Sequence, residues 1–304
     1  MQPPPDGYAW WYVDALSDDG RHALTIIAFV GSVFSPYYAA ARRRAPADPR
    51  NHVALSVALY GDGARRWTMT ERGRDQLTAT ADTLRIGPSA LAWDGDTLVI
   101  TLRERAAPWP RRVDGRVRIE GLLPALQPIE LDAAGRHRWQ PVMPRARVSV
   151  DLAAPALRWS GDGYVDSNHG DLPLEQSFES WQWCRTPHPD GGTSIHYDLR
   201  ERDGRTRALR LDIARDGGVR FGSPQPSDPL EPSRWGIARA AHEGAELRRT
   251  LEDGPFYVRS LFATPWQGRS LPTLHESLSL DRFRARWVQA LLPFRMPRRA
   301  GARR

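Results

Sequence analysis

Alternation of apolar and polar residues, cut at short intervals by Asp-Gly turns, most limits what this chain can fold into. The segments Arg116-Val-Arg-Ile-Glu120, Arg147-Val-Ser-Val-Asp-Leu152 and Leu209-Arg-Leu-Asp-Ile213 each repeat with period two. That period places every second side chain on one face of a strand, and a helix has no use for it. Thr97 to Leu102 and His52 to Leu59 read as more deeply buried strands. Asp62-Gly63, Asp94-Gly95, Asp114-Gly115, Asp203-Gly204 and Asp216-Gly217-Gly218 fall between such runs, as hairpin turns do. Ile195 to Phe221 is predicted to be a three-stranded meander. The expectation is an all-β chain of short antiparallel strands, of barrel or sandwich type.

At 304 residues the chain exceeds one eight-stranded barrel, so two β units are expected. Ala-Ala-Pro, within Leu152 to Gly163, is the natural break; it divides the chain into residues 1–158 and 159–280. Residues 281–304 differ from both. Leu280, Phe283, Trp287, Val288 and Leu291 recur at helical spacing, and Pro293 is expected to end the helix. Beyond it lies a basic tail.

That segment also explains the charge. The net +7 and basic isoelectric point first suggest a nucleic-acid partner. Eight of the 43 basic residues, however, lie between Arg282 and Arg304, where no acid occurs; the remaining 35 face 36 acids. A nearly neutral body argues against nucleic acid. A basic, amphipathic terminus instead fits either a solvated end capped by a helix docked on the barrel, or attraction to an anionic membrane surface at up to roughly 1 kcal/mol per close Arg. No secretory leader is evident at the N-terminus, and no apolar run approaches the length of a membrane span; Ala23 to Val33 is the longest. The lone Cys184 excludes an internal disulfide and a cysteine-rich zinc site. Phosphate-cradling loops, a Gly-x-Ser-x-Gly elbow and a zincin motif are missing.

The densest polar segment is Gly161-Asp-Gly-Tyr-Val-Asp-Ser-Asn-His-Gly170. Tyr164 and Asp166, two apart, share a strand face, and so do His137 and Trp139 in an earlier strand. Spacing alone is equally compatible with a rim tyrosine, a turn aspartate and a structural histidine. Twelve Trp residues fit either core packing or an aromatic tunnel for a flat, apolar or cationic species.

Three blocks taken together narrow the choice: Gly7-Tyr-Ala-Trp-Trp-Tyr-Val-Asp14, the run Ile27 to Tyr38, and Gly163-Tyr-Val-Asp-Ser-Asn-His-Gly170 followed by Trp181-Gln-Trp-Cys-Arg185. In this order they resemble the carotenoid 1,2-hydratases, also called hydroxyneurosporene synthases. The resemblance implies two lipocalin-like β units and hydration of acyclic carotenoids such as neurosporene or lycopene. It places the family's His-x-Trp and Tyr-x-Asp residues on His137, Trp139, Tyr164 and Asp166, with Asn168, Trp181, Trp183 and Arg185 as substrate-side support. His169 departs from the wider superfamily, which often has Trp there.

Hydrating a trisubstituted alkene takes a proton donor for C2, a shelter for the tertiary cation at C1, and a water; no metal or redox cofactor is implied. Asp166 is the expected acid. Keeping it protonated at neutral pH requires raising it by about 4 kcal/mol above a free carboxyl, which burial can supply. Trp139 and Tyr164 would face the cation, at ~0.5–2 kcal/mol each. His137 would orient Asp166 or accept a proton from the attacking water. Such an enzyme is expected on the cytoplasmic side, held peripherally to the membrane. Two other readings stay open: a lipocalin-like isoprenoid carrier, and a glycosidase pairing Asp162 with Asp166.

Overall fold

The computed structural model describes residues 2–224, 227–242 and 244–299. It begins with β1 (Tyr8–Ser17), β2 (Ala23–Val30), α1 (Pro36–Arg42), β3 (Val53–Tyr60) and β4 (Arg66–Arg72). Short strands β5 (Leu77–Ala79), β6 (Thr83–Ile86) and β7 (Ser89–Asp94) precede β8 (Thr97–Arg105), β9 (Arg112–Gly121) and β10 (Ile129–Glu130). A long hairpin, β11 (His137–Ala154) and β12 (Ala156–Gly170), leads to α2 (Leu174–Ser177). Then come β13 (Phe178–Pro187), β14 (Thr193–Glu201), β15 (Thr206–Ile213), β16 (Val219–Phe221), β17 (Ser227–Leu230) and β18 (Arg239–His242). Last among the described residues are β19 (Glu246–Asp253), β20 (Tyr257–Trp266), β21 (Arg269–Ser279), α3 (Leu280–Arg284), α4 (Arg286–Arg295) and β22 (Arg298–Arg299). The all-β expectation holds, and Ile195 to Phe221 forms the meander β14-β15-β16.

Two sheets carry the fold. The first has 13 strands in the order β22-β4-β3-β2-β1-β12-β11-β9-β8-β7-β6-β5, with β10 beside β11. It curls on itself: Arg72 of β4 reaches Glu104 of β8 at 2.7 Å, and Ser89 bonds the same carboxylate at 2.7 Å. Inside the roll lies an aliphatic core built from Val13, Ile26, Leu55, Ile100, Val117 and Val148, among others. The second sheet has seven strands in the order β16-β15-β14-β13-β21-β20-β19.

The expected division at 158/159 falls near the tip of the β11–β12 hairpin. Because β12 pairs with both β1 and β11, the change of sheet comes after Gly170 instead. An Ala-Ala-Pro break marks a turn in the chain, and a turn serves a hairpin as well as a linker.

Each strand of the first sheet is two-faced. Val13 and Ala15 of β1 point into the roll, whereas Tyr8, Trp10 and Tyr12 join a second core that also contains Trp181, Trp183 and Tyr197 of the other sheet. The two sheets therefore meet over aromatic rings, each worth about 1.5–3 kcal/mol when fully buried. Gly170 is needed at one edge of this interface: a Cβ there would stand 2.5 Å from the Tyr8 ring and 2.7 Å from His137 Nδ1.

The C-terminal segment departs from expectation in two respects. The helix breaks at Ala285, whose ψ of 132 is extended, and α4 then runs through Pro293 to Arg295. Pro293 sits in the last turn, where losing one backbone bond does little to the turns before it. The break resets the helical phase: Leu280, Phe283, Val288 and Leu292 are buried, while Trp287, Leu291 and Phe294 are exposed. The basic stretch is partly docked, since Arg298 bonds Glu71, His52 Nδ1 and Asn51 O, and β22 pairs in parallel with β4. Arg303 and Arg304 lie outside the described residues.

Candidate active site

Antiparallel register sets the site. On β12, Asp166 lies opposite Tyr12 of β1 and Pro141 of β11, and Asn168 lies opposite Trp139. Side chains directly opposite in register share a face, and residues two apart on one strand do too. Tyr12, Trp139, Tyr164, Asp166 and Asn168 thus project together toward the second sheet.

Three donors converge on the Asp166 carboxyl. Trp139 Nε1–H and the Tyr164 hydroxyl both donate to Oδ2 at 2.9 Å, and Asn168 Nδ2 donates to Oδ1 at 3.0 Å. Such bonds favour a carboxylate. Burial opposes them and wins: with Asp166 only 4% exposed, its pKa is pushed up to about 8, with the Glu276 and Asp14 charges adding to the rise. Asp166 is therefore mainly protonated at neutral pH while it is held in a fixed orientation. Burial also pushes the Tyr164 phenol well above its ordinary value, so it stays a donor.

Aromatic rings crowd around this acid. Tyr12 sits edge-on to Tyr164 and Trp183, with centroids 6.2 and 5.5 Å away, and Tyr164 lies 5.2 Å from Trp183. Tyr197 meets Trp139 edge-on at 5.5 Å and Trp181 at 6.1 Å. Ring faces here can stabilise a nearby cation through their quadrupoles. The indole nitrogen of Trp183 and the amide oxygen of Asn168 are buried and unpaired among the described residues.

Not all the expected residues join this cluster. His137 and Trp139 share a face, but His137 bonds Tyr8 at Nδ1 (2.9 Å) and Ser177 at Nε2 (2.8 Å) and stacks beside Tyr8. Burial lowers its pKa to about 4, which leaves a neutral ring with both nitrogens occupied. It does not hold Asp166; Trp139, Tyr164 and Asn168 do. Arg185 is likewise committed: Nε bonds Asp14 at 2.7 Å and one terminal nitrogen bonds Asp162 at 2.8 Å. Its donors tie β13 to β1 and β12 and are not free for a ligand. Asp162, bonded also by Arg145 at 2.9 Å, is part of an ion-pair cluster, which weakens the paired-carboxylate reading.

Beside the cage runs a mostly apolar crevice of about 80 Å³ between the sheets, with Trp10, Tyr12, Phe34, Trp181 and Met296 in its walls. At about 30 Å³ per water it holds two or three waters, so a polyene requires the walls to part. Two charged residues, Arg259 and Glu276, also line it. Sequence reasoning missed Tyr12, Tyr197 and Glu276 as site residues. The i, i+2 series Tyr8, Trp10, Tyr12, Asp14 was a readable signal for the first; the others depend on which strands of the second sheet come to face Asp166.

The architecture defines the class first: this is a lipocalin-like β protein. An AttH-type protein from Nitrosomonas europaea shares the fold with a TM-score of 0.59 at 13% identity, over 90% of this chain and 92% of that one. CghA, solved with Sch210972, gives a TM-score of 0.57 at 12% identity, over 90% and 89%. Sequence comparison then goes beyond fold. Residues 26–304 match the family model described as carotenoid hydratase CrtC. Acyclic carotenoid 1,2-hydratases from Thiocapsa roseopersicina and Rubrivivax gelatinosus are 52% and 46% identical over 98% of this chain, covering 74% and 75% of those proteins. The Cereibacter sphaeroides enzyme is 39% identical over 91% of this chain and 99% of its own length. The chain belongs to the carotenoid hydratase family, whose members are hydro-lyases.

Proposed function

We propose that this protein adds water across the terminal C1–C2 double bond of acyclic carotenoids such as neurosporene and lycopene, without a cofactor. The observation that carries the mechanism is the buried Asp166, pushed up to about 8 and aimed by three donors within an aromatic cage. A protonated carboxyl in an apolar site transfers its proton to C2, where the resulting charge falls on the more substituted C1. Tyr12, Tyr164 and Trp183 shelter that cation, and a water captures it. The reaction is redox-neutral: the proton taken up at C2 is matched by one released from the added water, so the net change is addition of one water.

Membrane attachment at the cytoplasmic face belongs to the same reading, because the substrate dissolves in bilayers. What supports it is the exposed set Trp287, Leu291 and Phe294 on α4, with Trp235 stacked on Trp287 at 6.0 Å and Arg282 over that ring at 5.1 Å. Apolar side chains beside arginines are the composition of an interfacial helix. The crevice wall includes Met296, one residue past α4, so contact there would bring a lipid-dissolved end group near the crevice.

The test is incubation of purified protein with lycopene or neurosporene in liposomes, in ¹⁸O-labelled water, followed by mass analysis of the pigment. A gain of one labelled water is the expected result. Tight pigment binding by folded protein with no change in mass would favour a carrier instead.

A further inference from the structure

We propose that Glu276 of β21 takes the proton from the attacking water, the task that the committed nitrogens of His137 leave open. This rests on the hydration reading above and assigns its second half.

Glu276 is a carboxylate held in the crevice by one oxygen only. Its Oε1 accepts from the Tyr12 hydroxyl at 2.6 Å and from Arg259 Nε at 2.6 Å. Among the described residues no group bonds Oε2, although the residue lines the crevice and keeps 20% of its side chain accessible. Arg259 is fixed in turn by the Tyr60 hydroxyl at 2.5 Å and by Glu252 at 3.3 Å, and Tyr60 donates to Glu252 at 2.8 Å. Charges in a mostly apolar crevice are costly, and a hydrophobic replacement often serves stability as well or better. A buried ionic network that leaves one carboxylate oxygen open to a cavity is more economically read as a site.

Position connects this carboxylate to the acid. Tyr12, whose hydroxyl bonds Glu276, lies directly opposite Asp166 in the sheet and edge-on to Tyr164, which bonds Asp166. The Glu276 charge is also felt at Asp166, where it helps keep the proton on. One carboxyl is thus buried, hydrogen-bonded and protonated; the other is paired with arginine and open to the crevice. That division of environments separates an acid from a base.

The step balances. The Asp166 O–H bond breaks and its proton joins C2 through the alkene π pair, leaving C1 cationic. A water lone pair forms the C1–O bond, and the oxonium proton passes to Glu276 Oε2. Exchange with solvent returns a proton to Asp166 and removes one from Glu276, so the net change is addition of one water.

Deuterium exchange in D2O separates the two halves. A cation that forms and is not captured collapses back to alkene by losing a proton from C2 or from a C1 methyl, and deuterium stays in the unhydrated pigment whenever the proton lost is not the deuteron just added. In Glu276→Gln, hydration is expected to fall at least 100-fold while deuterium entry into recovered polyene falls less than threefold; Asp166→Asn loses both. Their ratio is read within one sample, so the folded fraction cancels. Glu276→Asp, which keeps a charge for Arg259, gives a second reading: the ratio of hydration to exchange should drop at least tenfold. An unchanged ratio in either variant overturns the assignment. Absence of hydration by the unmodified protein would instead count against the proposed function itself.

Discussion

The two faces of the first sheet use the same strands and differ in almost everything else. On the inner face, Val13, Ile26, Leu55, Val148 and Val165 pack into an aliphatic core that the buried Arg72–Glu104–Ser89 cluster closes. One residue along each strand, the outer face presents Tyr12, Trp139, Tyr164 and Asp166 to the second sheet. Side-chain period two keeps these sets apart, and a one-residue slip would exchange them. The inner face is chiefly aliphatic packing, whereas the outer face sets the buried Asp166 and its three donors against the Trp183 indole and the Arg259–Glu276 ion pair of the second sheet. The aliphatic core and the candidate site are separated by the thickness of a single sheet.

Substitutions on the two faces should therefore fail in different ways. The largest effect is expected from Asp166→Asn: hydration falls by about 10³-fold, within the range for removing a positioned acid. The same variant changes the pH dependence of stability. Asp166 has its pKa at about 8 in the folded chain, against about 3.9 when unfolded, so between those values the folded state holds the extra proton. Wild-type stability should fall as pH rises through that window, with the deficit complete above pH 8. Asp166→Asn should lack that slope, and denaturant melts from pH 4 to 9 read the difference directly.

Tyr164→Phe comes next. Removing a donor to Oδ2 loosens the acid and costs about 10- to 100-fold in rate. Because that donor favours the carboxylate, its loss also moves the alkaline limb of the rate profile above 8, which a pH–rate series would show. His137→Gln should cost less than tenfold in rate but about 1–3 kcal/mol in stability, through the stranded Tyr8 and Ser177 hydroxyls. A loss as large as that of Asp166→Asn would give His137 back a direct part in proton transfer. At the inner face, Leu55→Ala should cost about 2–5 kcal/mol in denaturant melts and leave the rate per folded molecule unchanged.

Much of this organisation was legible in the sequence, because it depends on local spacing. Alternation in Arg147 to Leu152 and the Asp-Gly turns around residues 203 and 216 foretold strands and hairpins. Tyr164 and Asp166 two apart foretold a shared face, and the family blocks pointed to Trp139 and Asn168. What could not be read depends on packing between distant segments. Ser177 of α2 and Tyr8 of β1 decide the role of His137, and no spacing reports them. Asp14 and Asp162 decide that of Arg185. Glu276, more than one hundred residues after Asp166, has no local motif. The helix break at Ala285 reflects docking of Phe283 and Val288 on either side of it, against which periodicity in one continuous helix is a weak guide.

The proposed hydration depends on Asp166 carrying a proton at neutral pH within the inter-sheet cage. Infrared difference spectra between the wild type and Asp166→Asn, recorded from pH 6 to 10, test it most directly. A protonated-carboxyl band, present in the wild type alone, is expected to disappear with a midpoint near 8. A carboxylate band already complete at pH 6 would contradict it, and would leave the cage without its acid.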